Sequence, residues 1–126
     1  MADGAVDVMV GATPDEVWGK VGDFGAAAEL FPGVDSLRLE GDERVIGMFG
    51  MEIRERLLAR DDESRTLTYS VVAGVPLDSH TATISVQPEG DGSRVIWAYS
   101  VTPDEMAAVF GDTYKAALNS LESAFS

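Results

Sequence analysis

Two side chains are spaced to do proton chemistry against an apolar surface. Glu55 shares strand parity with Ile53 and Leu57. A carboxylate facing an apolar interior is costly to keep ionised unless it is paired, so it either binds a cation or its pKa rises. His80, the only histidine in the chain, shares parity with Ala82 and Ile84, and imidazole gives or takes a proton near neutrality. Joined by a tyrosine hydroxyl, for which Tyr99 is the candidate, the two could polarise a ligand carbonyl or abstract an acidic proton, as aldol cyclisation and dehydration require. A structural role stays open for each: Glu55 as the partner of a nearby arginine, His80 as a satisfied residue of the wall or rim.

Other chemistries find no footing. One histidine and no cysteine leave no transition-metal motif, and the acid runs lack the calcium-loop pattern, so neither metal nor cofactor is expected. Neither common glycine-rich phosphate loop is present. Ser79 and His80 are neighbours on one strand, point to opposite faces and cannot act as nucleophile and base. The formal net charge of −13 opposes nucleic acid and anionic lipid surfaces. The acids gather at Asp42-Glu43, Asp61-Asp62-Glu63, Glu89 and Asp91, which read as hairpin tips serving solubility or a basic partner.

These residues must be positioned by a fold that 126 residues, 45% of them apolar, can build as one domain spanning 1–126. Alternating apolar and polar residues place seven strands at about 4–10, 34–40, 44–49, 51–61, 66–73, 79–87 and 93–101. Turn signals separate the later ones: Gly41-Asp42, Asp61-Asp62, Gly74-Val75-Pro76 and Gly90-Asp91-Gly92. The tetrapeptide Thr-Pro-Asp-Glu occurs at 13–16 and again at 102–105. Threonine at N-cap, proline at N1 and glutamate at N3 make each a helix start. The spacing predicts helices over about 14–21 and 103–125, with a short one at about 25–30. Arg54, Arg56 and Arg60 fall on the outer face of their strand. A meander of six strands with one apolar face needs a cover, and the C-terminal amphipathic helix is the element able to provide it. The expected class is therefore α+β, a curved antiparallel sheet wrapped around that helix.

The inward set follows from parity. Phe24, Leu30 and Phe31 stand near the mouth. Ile53, Glu55 and Leu57 come from one strand, Tyr69 and Val71 from the next, then His80 and Ala82, then Trp97 and Tyr99. Phe110, Tyr114 and Leu118 come from the helix. Rings carrying single polar handles suit a mostly apolar ligand held by a few hydrogen bonds.

In order along the chain, Ala12-Thr13-Pro14-Asp15-Glu16-Val17-Trp18, Val21-Gly22-Asp23-Phe24, Phe31-Pro32-Gly33-Val34, Val45-Ile46-Gly47, Glu55-Arg56-Leu57, Leu67-Thr68-Tyr69-Ser70-Val71, Thr81-Ala82-Thr83 and Trp97-Ala98-Tyr99 carry a resemblance. The sequence resembles the START-like, helix-grip (SRPBCC) superfamily, which includes the polyketide cyclase/dehydrase and lipid-transport proteins. It departs from the abscisic acid receptors of that superfamily: the turn comparable to their gate holds Gly47-Met48-Phe49-Gly50, and no counterpart of their ligand-carboxylate lysine is found. The resemblance implies a cavity between sheet and helix that binds or transports a small hydrophobic molecule such as a lipid, polyketide, isoprenoid or quinone-like compound. It equally admits a metal-free cyclase, aromatase or dehydratase using Glu55, His80 and Tyr99. An interaction module, such as a toxin–antitoxin partner or an accessory subunit, is the third reading. The expectations are a cytoplasmic protein without integral membrane association, monomeric or homodimeric.

Overall fold

The computed structural model describes residues 2–26 and 33–125. Seven strands form one antiparallel sheet: β1 (Ala2–Val10), β2 (Val34–Glu40), β3 (Glu43–Met48), β4 (Met51–Asp61), β5 (Thr66–Ala73), β6 (Ser79–Glu89) and β7 (Gly92–Thr102). Their spatial order is β1-β7-β6-β5-β4-β3-β2. Five hairpins build the run from β2 to β7, and the first strand returns to pair with the last, Ala2 opposite Val101 and Val10 opposite Ser93. Among the described residues between β1 and β2 stand helix α1 (Pro14–Val21) and a 3-10 turn (Phe24–Ala26), and helix α2 (Ala107–Ala124) follows β7 after another 3-10 turn (Asp104–Met106). This is the α+β helix-grip arrangement expected from the pattern.

Alternation along the strands decides which face is buried. On β5, Leu67, Tyr69 and Val71 are buried; on β6, His80, Ala82, Ile84 and Val86; on β7, Val95, Trp97, Tyr99 and Val101. Helix α2 lays Tyr114, Ala117, Leu118 and Leu121 onto this face. Trp97 and Tyr114 stack with ring centroids 4.3 Å apart and planes 9° from parallel, which fixes the helix against the centre of the sheet. Gly111 permits the close approach: a Cβ there would sit 2.6 Å from the Tyr99 hydroxyl. The glycine thus makes room for a protein side chain, not for a ligand.

The two Thr-Pro-Asp-Glu segments behave differently. At the first, the Glu16 amide donates to Thr13 Oγ1 at 3.3 Å, and the Thr13 hydroxyl in turn donates to the Glu16 carboxylate at 3.0 Å. At the second, Thr102 is still part of β7 and pairs with Ser79, its carbonyl accepting from the Asp78 amide. Pro103 takes the cap position of the 3-10 turn, with no side-chain capping bond, and the Thr102–Pro103 peptide is cis. The expected capping box at Thr102 is therefore replaced by sheet pairing, and α2 starts later than expected.

Arg60 is a second correction. Register shifts in β4 between Arg54 and Glu55 and between Leu57 and Ala59 change which residues face inward. After the second shift Arg60 lies opposite the buried Leu67, with its guanidinium 5.6 Å from the Trp18 ring. Arg54 and Arg56 do occupy the outer face, bonded to Glu40 and Glu43. Of the expected helix at 25–30 only residues 25 and 26 are described, within a 3-10 turn over Phe24–Ala26; the rest of it lies outside the described residues, as do the site candidates Leu30 and Phe31.

Candidate ligand-binding site

The sheet opens where β5 and β6 part. Cα pairing between them runs only from Thr66–Ser85 to Tyr69–Ala82. Beyond it the Val71 amide has no ladder partner, and it donates instead to Nδ1 of His80 at 3.0 Å. That bond leaves the proton of neutral His80 on Nε2, which donates to the Tyr114 hydroxyl oxygen at 2.8 Å. Trp97 Nε1 donates to the Tyr69 oxygen at 3.2 Å, and the Tyr69 and Tyr114 hydroxyls lie close enough to influence each other's ionisation. Burial holds His80 down to about 4 against a weaker opposing bond from the backbone, so the ring is neutral at pH 7. Burial raises the Tyr69 and Tyr114 hydroxyls well above their ordinary range. Both nitrogens of His80 are thus engaged in holding strand to strand and sheet to helix.

Glu55 meets Arg44, which the β3–β4 register sets directly opposite it. Both residues are buried. Arg44 Nε donates to Glu55 Oε1 at 2.7 Å, and Nη2 lies 2.7 Å from the same oxygen. Arg44 Nη1 donates to the Phe24 carbonyl at 3.0 Å. Its guanidinium carbon lies 4.2 Å from the Phe24 ring centre and 5.0 Å from that of Tyr69. Burial pushes the Glu55 carboxyl above the usual carboxylate range, and Arg44 opposes that shift. Oε2 takes no hydrogen bond from the described residues, among which every fully buried side-chain polar atom has a partner. Glu55 lines the adjoining chamber, and Oε2 is its oxygen not engaged by Arg44.

That chamber, about 50 Å³, is lined by Ile46, Met48, Ile53, Glu55, Val71, Val75, Phe110, Thr113 and Tyr114. It shares Met48, Ile53, Val75, Phe110 and Thr113 with an outer groove of about 360 Å³, to which Phe49, Met51, Pro76, Met106 and Val109 also contribute. Three segments frame the mouth: the β3–β4 turn, the β5–β6 loop and the start of α2. Gly74 holds the loop close to β4 with φ +95°, a conformation that disfavours any residue with a Cβ. Phe49, Met51 and Val109 stand exposed there, 73%, 45% and 53% respectively.

Of the residues expected inward, Ile53, Glu55, Val71, Phe110 and Tyr114 line this cavity. Tyr69, His80 and Phe24 stand one layer behind it, holding Tyr114 and Arg44. Ala82, Trp97 and Leu118 are fully packed core, and Leu57 is half-buried against it. The structure puts the Tyr99 hydroxyl beside Gly4 and Gly111, towards β1 and away from Glu55. The tyrosine that His80 meets is Tyr114. Sequence reasoning missed Arg44 and most of the mouth. Arg44 shares parity with the buried Ile46 and Met48 on β3. A phenylalanine and methionines flanking a glycine turn were the other available signal.

The match to a family model covers residues 1–126, and the chain belongs to the polyketide cyclase / dehydrase and lipid transport family. That family supports a ligand-binding or cyclase role. No curated protein sequence matches the chain. Among solved structures it is similar to the protein XoxI from Bacillus cereus, at 29% identity and TM-score 0.93, covering 99% of this chain and 96% of that one. A solution structure from Thermobifida fusca is 32% identical with TM-score 0.89, covering 99% and 93%. A START superfamily protein from Mycobacterium smegmatis shares the fold at 15% identity and TM-score 0.82, covering 98% and 96%. Among the described residues no helix is long and apolar enough to cross a membrane, and no group of three or more histidine, aspartate or glutamate side chains could hold a metal ion.

Proposed function

We propose that the protein binds and carries a small, largely apolar molecule, of lipid, polyketide, isoprenoid or quinone-like character. The observation that carries this reading is the continuity of the apolar outer groove with an inner chamber ending on Glu55. The groove's volume of about 360 Å³ lies in the range of small-ligand sites, which run from about 300 to 1,000 Å³. Exposed Phe49, Met51 and Val109 give such a molecule an apolar threshold to cross.

Cyclase or dehydratase chemistry is the second reading, and Glu55 favours it. Its carboxyl borders the chamber and burial raises its pKa, as a general acid or base needs. Its proposed companion His80 spends both nitrogens on Val71 and Tyr114, which counts against the pair acting together.

Native mass spectrometry with organic extraction, on protein purified from its own host, tests the carrier reading. A co-purifying apolar molecule near one per chain is expected. An empty protein that also takes up no neutral fluorescent apolar probe would overturn it. Turnover of the extracted compound, lost in Glu55→Gln with binding retained, would favour the enzyme instead.

A further inference from the structure

We infer that the chamber selects ligands whose inner end is a neutral hydrogen-bond donor, a phenol or alcohol hydroxyl above all, and rejects those ending in a carboxylate or phosphate. This rests on the carrier reading and names the chemistry of its ligand.

The polar groups that line the chamber are Glu55, Thr113 and Tyr114. The Tyr114 oxygen already accepts from His80 Nε2 and is coupled to the neighbouring Tyr69 hydroxyl. Thr113 donates its hydroxyl back to the Val109 carbonyl at 2.8 Å, which helix side chains of this type commonly do. Glu55 Oε2 is the acceptor left over, and a carboxylate oxygen gives a strong, short bond to a hydroxyl donor.

The nearest cation does not alter this. Arg44 does not line the chamber, and its guanidinium is turned to Glu55 Oε1 and the Phe24 carbonyl, with Phe24 and Tyr69 rings over it. An anionic head reaching the floor therefore meets carboxylate before guanidinium. Two carboxylates at hydrogen-bonding distance in a low-dielectric site cannot both stay ionised. A cationic head fits no better, because Arg44 already balances Glu55 and a further cation would leave a buried excess charge. A neutral donor adds a bond without adding charge.

Three probes of one shape test the inference on the unmodified protein at pH 7: naphthalene, 2-naphthol and 2-naphthoate. Affinities are read by calorimetry, and location by methyl NMR shifts at Ile53 and Val71. 2-Naphthol is expected to bind about tenfold or more tighter than naphthalene, the usual return on a bond to a charged acceptor. 2-Naphthoate is expected to bind weakest. Equal binding of naphthol and naphthalene, or naphthoate binding best, overturns the head-group assignment while leaving an apolar carrier. Binding of none of the three overturns the carrier reading and this inference together. In Arg44→Met/Glu55→Leu, which removes both charges at once, the naphthol-to-naphthalene ratio is expected to fall to about one; an unchanged ratio also overturns the assignment.

Discussion

His80 Nε2 and the Tyr114 hydroxyl, 34 positions apart in the chain, meet at 2.8 Å inside the sheet and tie β6 to α2. Removing the acceptor strands a buried N–H. Tyr114→Phe is expected to lower stability by about 1–3 kcal/mol, the range for a buried donor left unpaired. Urea unfolding of the variant against the parent measures it, and an unchanged midpoint would show that the bond does not matter.

The same histidine predicts a pH dependence. Its folded pKa of about 4 lies below the ordinary value of 6.5. Between these values the unfolded chain binds more protons, so stability rises with pH. The contribution of neutral His80 is complete above pH 6.5 and is lost as pH falls towards 4; fully expressed it amounts to roughly 3 kcal/mol. Glu55 shifts in the opposite sense and is common to both proteins in the comparison. His80→Gln is therefore expected to flatten the fall in urea midpoint between pH 7 and pH 4.5.

Arg44 and Glu55 form a buried pair whose members do not survive separation. Glu55→Leu leaves a guanidinium without its carboxylate and is expected to cost about 3–5 kcal/mol. Arg44→Met/Glu55→Leu is expected to recover most of that loss. A double-mutant cycle by chemical denaturation reads the coupling, and simple additivity would contradict the pairing.

Gly111→Ala is expected to destabilise, against the ordinary gain of about 1 kcal/mol for alanine inside a helix. The added methyl meets the Tyr99 hydroxyl, so Tyr99→Phe in the same chain is expected to restore the gain. Thermal unfolding of the two single variants and the double variant decides it.

At the mouth, Met51→Lys and Val109→Lys replace side chains that are already exposed. Stability is expected to stay within about 0.5 kcal/mol. Affinity for the neutral probe N-phenyl-1-naphthylamine is expected to fall about fivefold or more, since each loses apolar contact area. Full affinity in both would move the entrance elsewhere.

Much of the fold was legible because alternation and turn residues are local signals. β2, β4 and β5 and helix α1 match their expected spans, and β1, β3, β6 and β7 differ by a few terminal residues. What alternation could not show was where it fails. The register shift between Leu57 and Ala59 puts the still exposed Arg60 on the face of Leu67 and Trp18, and the parting of β5 from β6 recruits His80 as a ladder substitute. The shift in β4 has no glycine or proline to announce it. Tyr99 and Tyr114 could not be told apart as partners of His80, because that depends on which way α2 crosses the sheet. Thr102 shows the limit of a local motif: in the tetrapeptide that starts α1 the threonine caps the helix, whereas at 102–105 the threonine is claimed by strand pairing at β7.

On a ribosome, β1 is made well before β7, its neighbour among the described strands, and must wait for it. Val10 pairs with Ser93, about eighty residues downstream, and α2, which also packs on β1, emerges later still. At roughly 5–20 residues per second, the usual range for synthesis, residues 2–10 spend several seconds without a sheet partner. Pulse proteolysis of stalled nascent chains would show protection of β1 only once residues 92–102 clear the exit tunnel. The hairpins from β2 to β7 can assemble locally in the meantime, but the apolar face they share is left uncovered until α2 arrives. Cover of the sheet thus depends on a segment made after all seven strands, which makes deletions within α2 a matter of solubility in the cell as much as of binding.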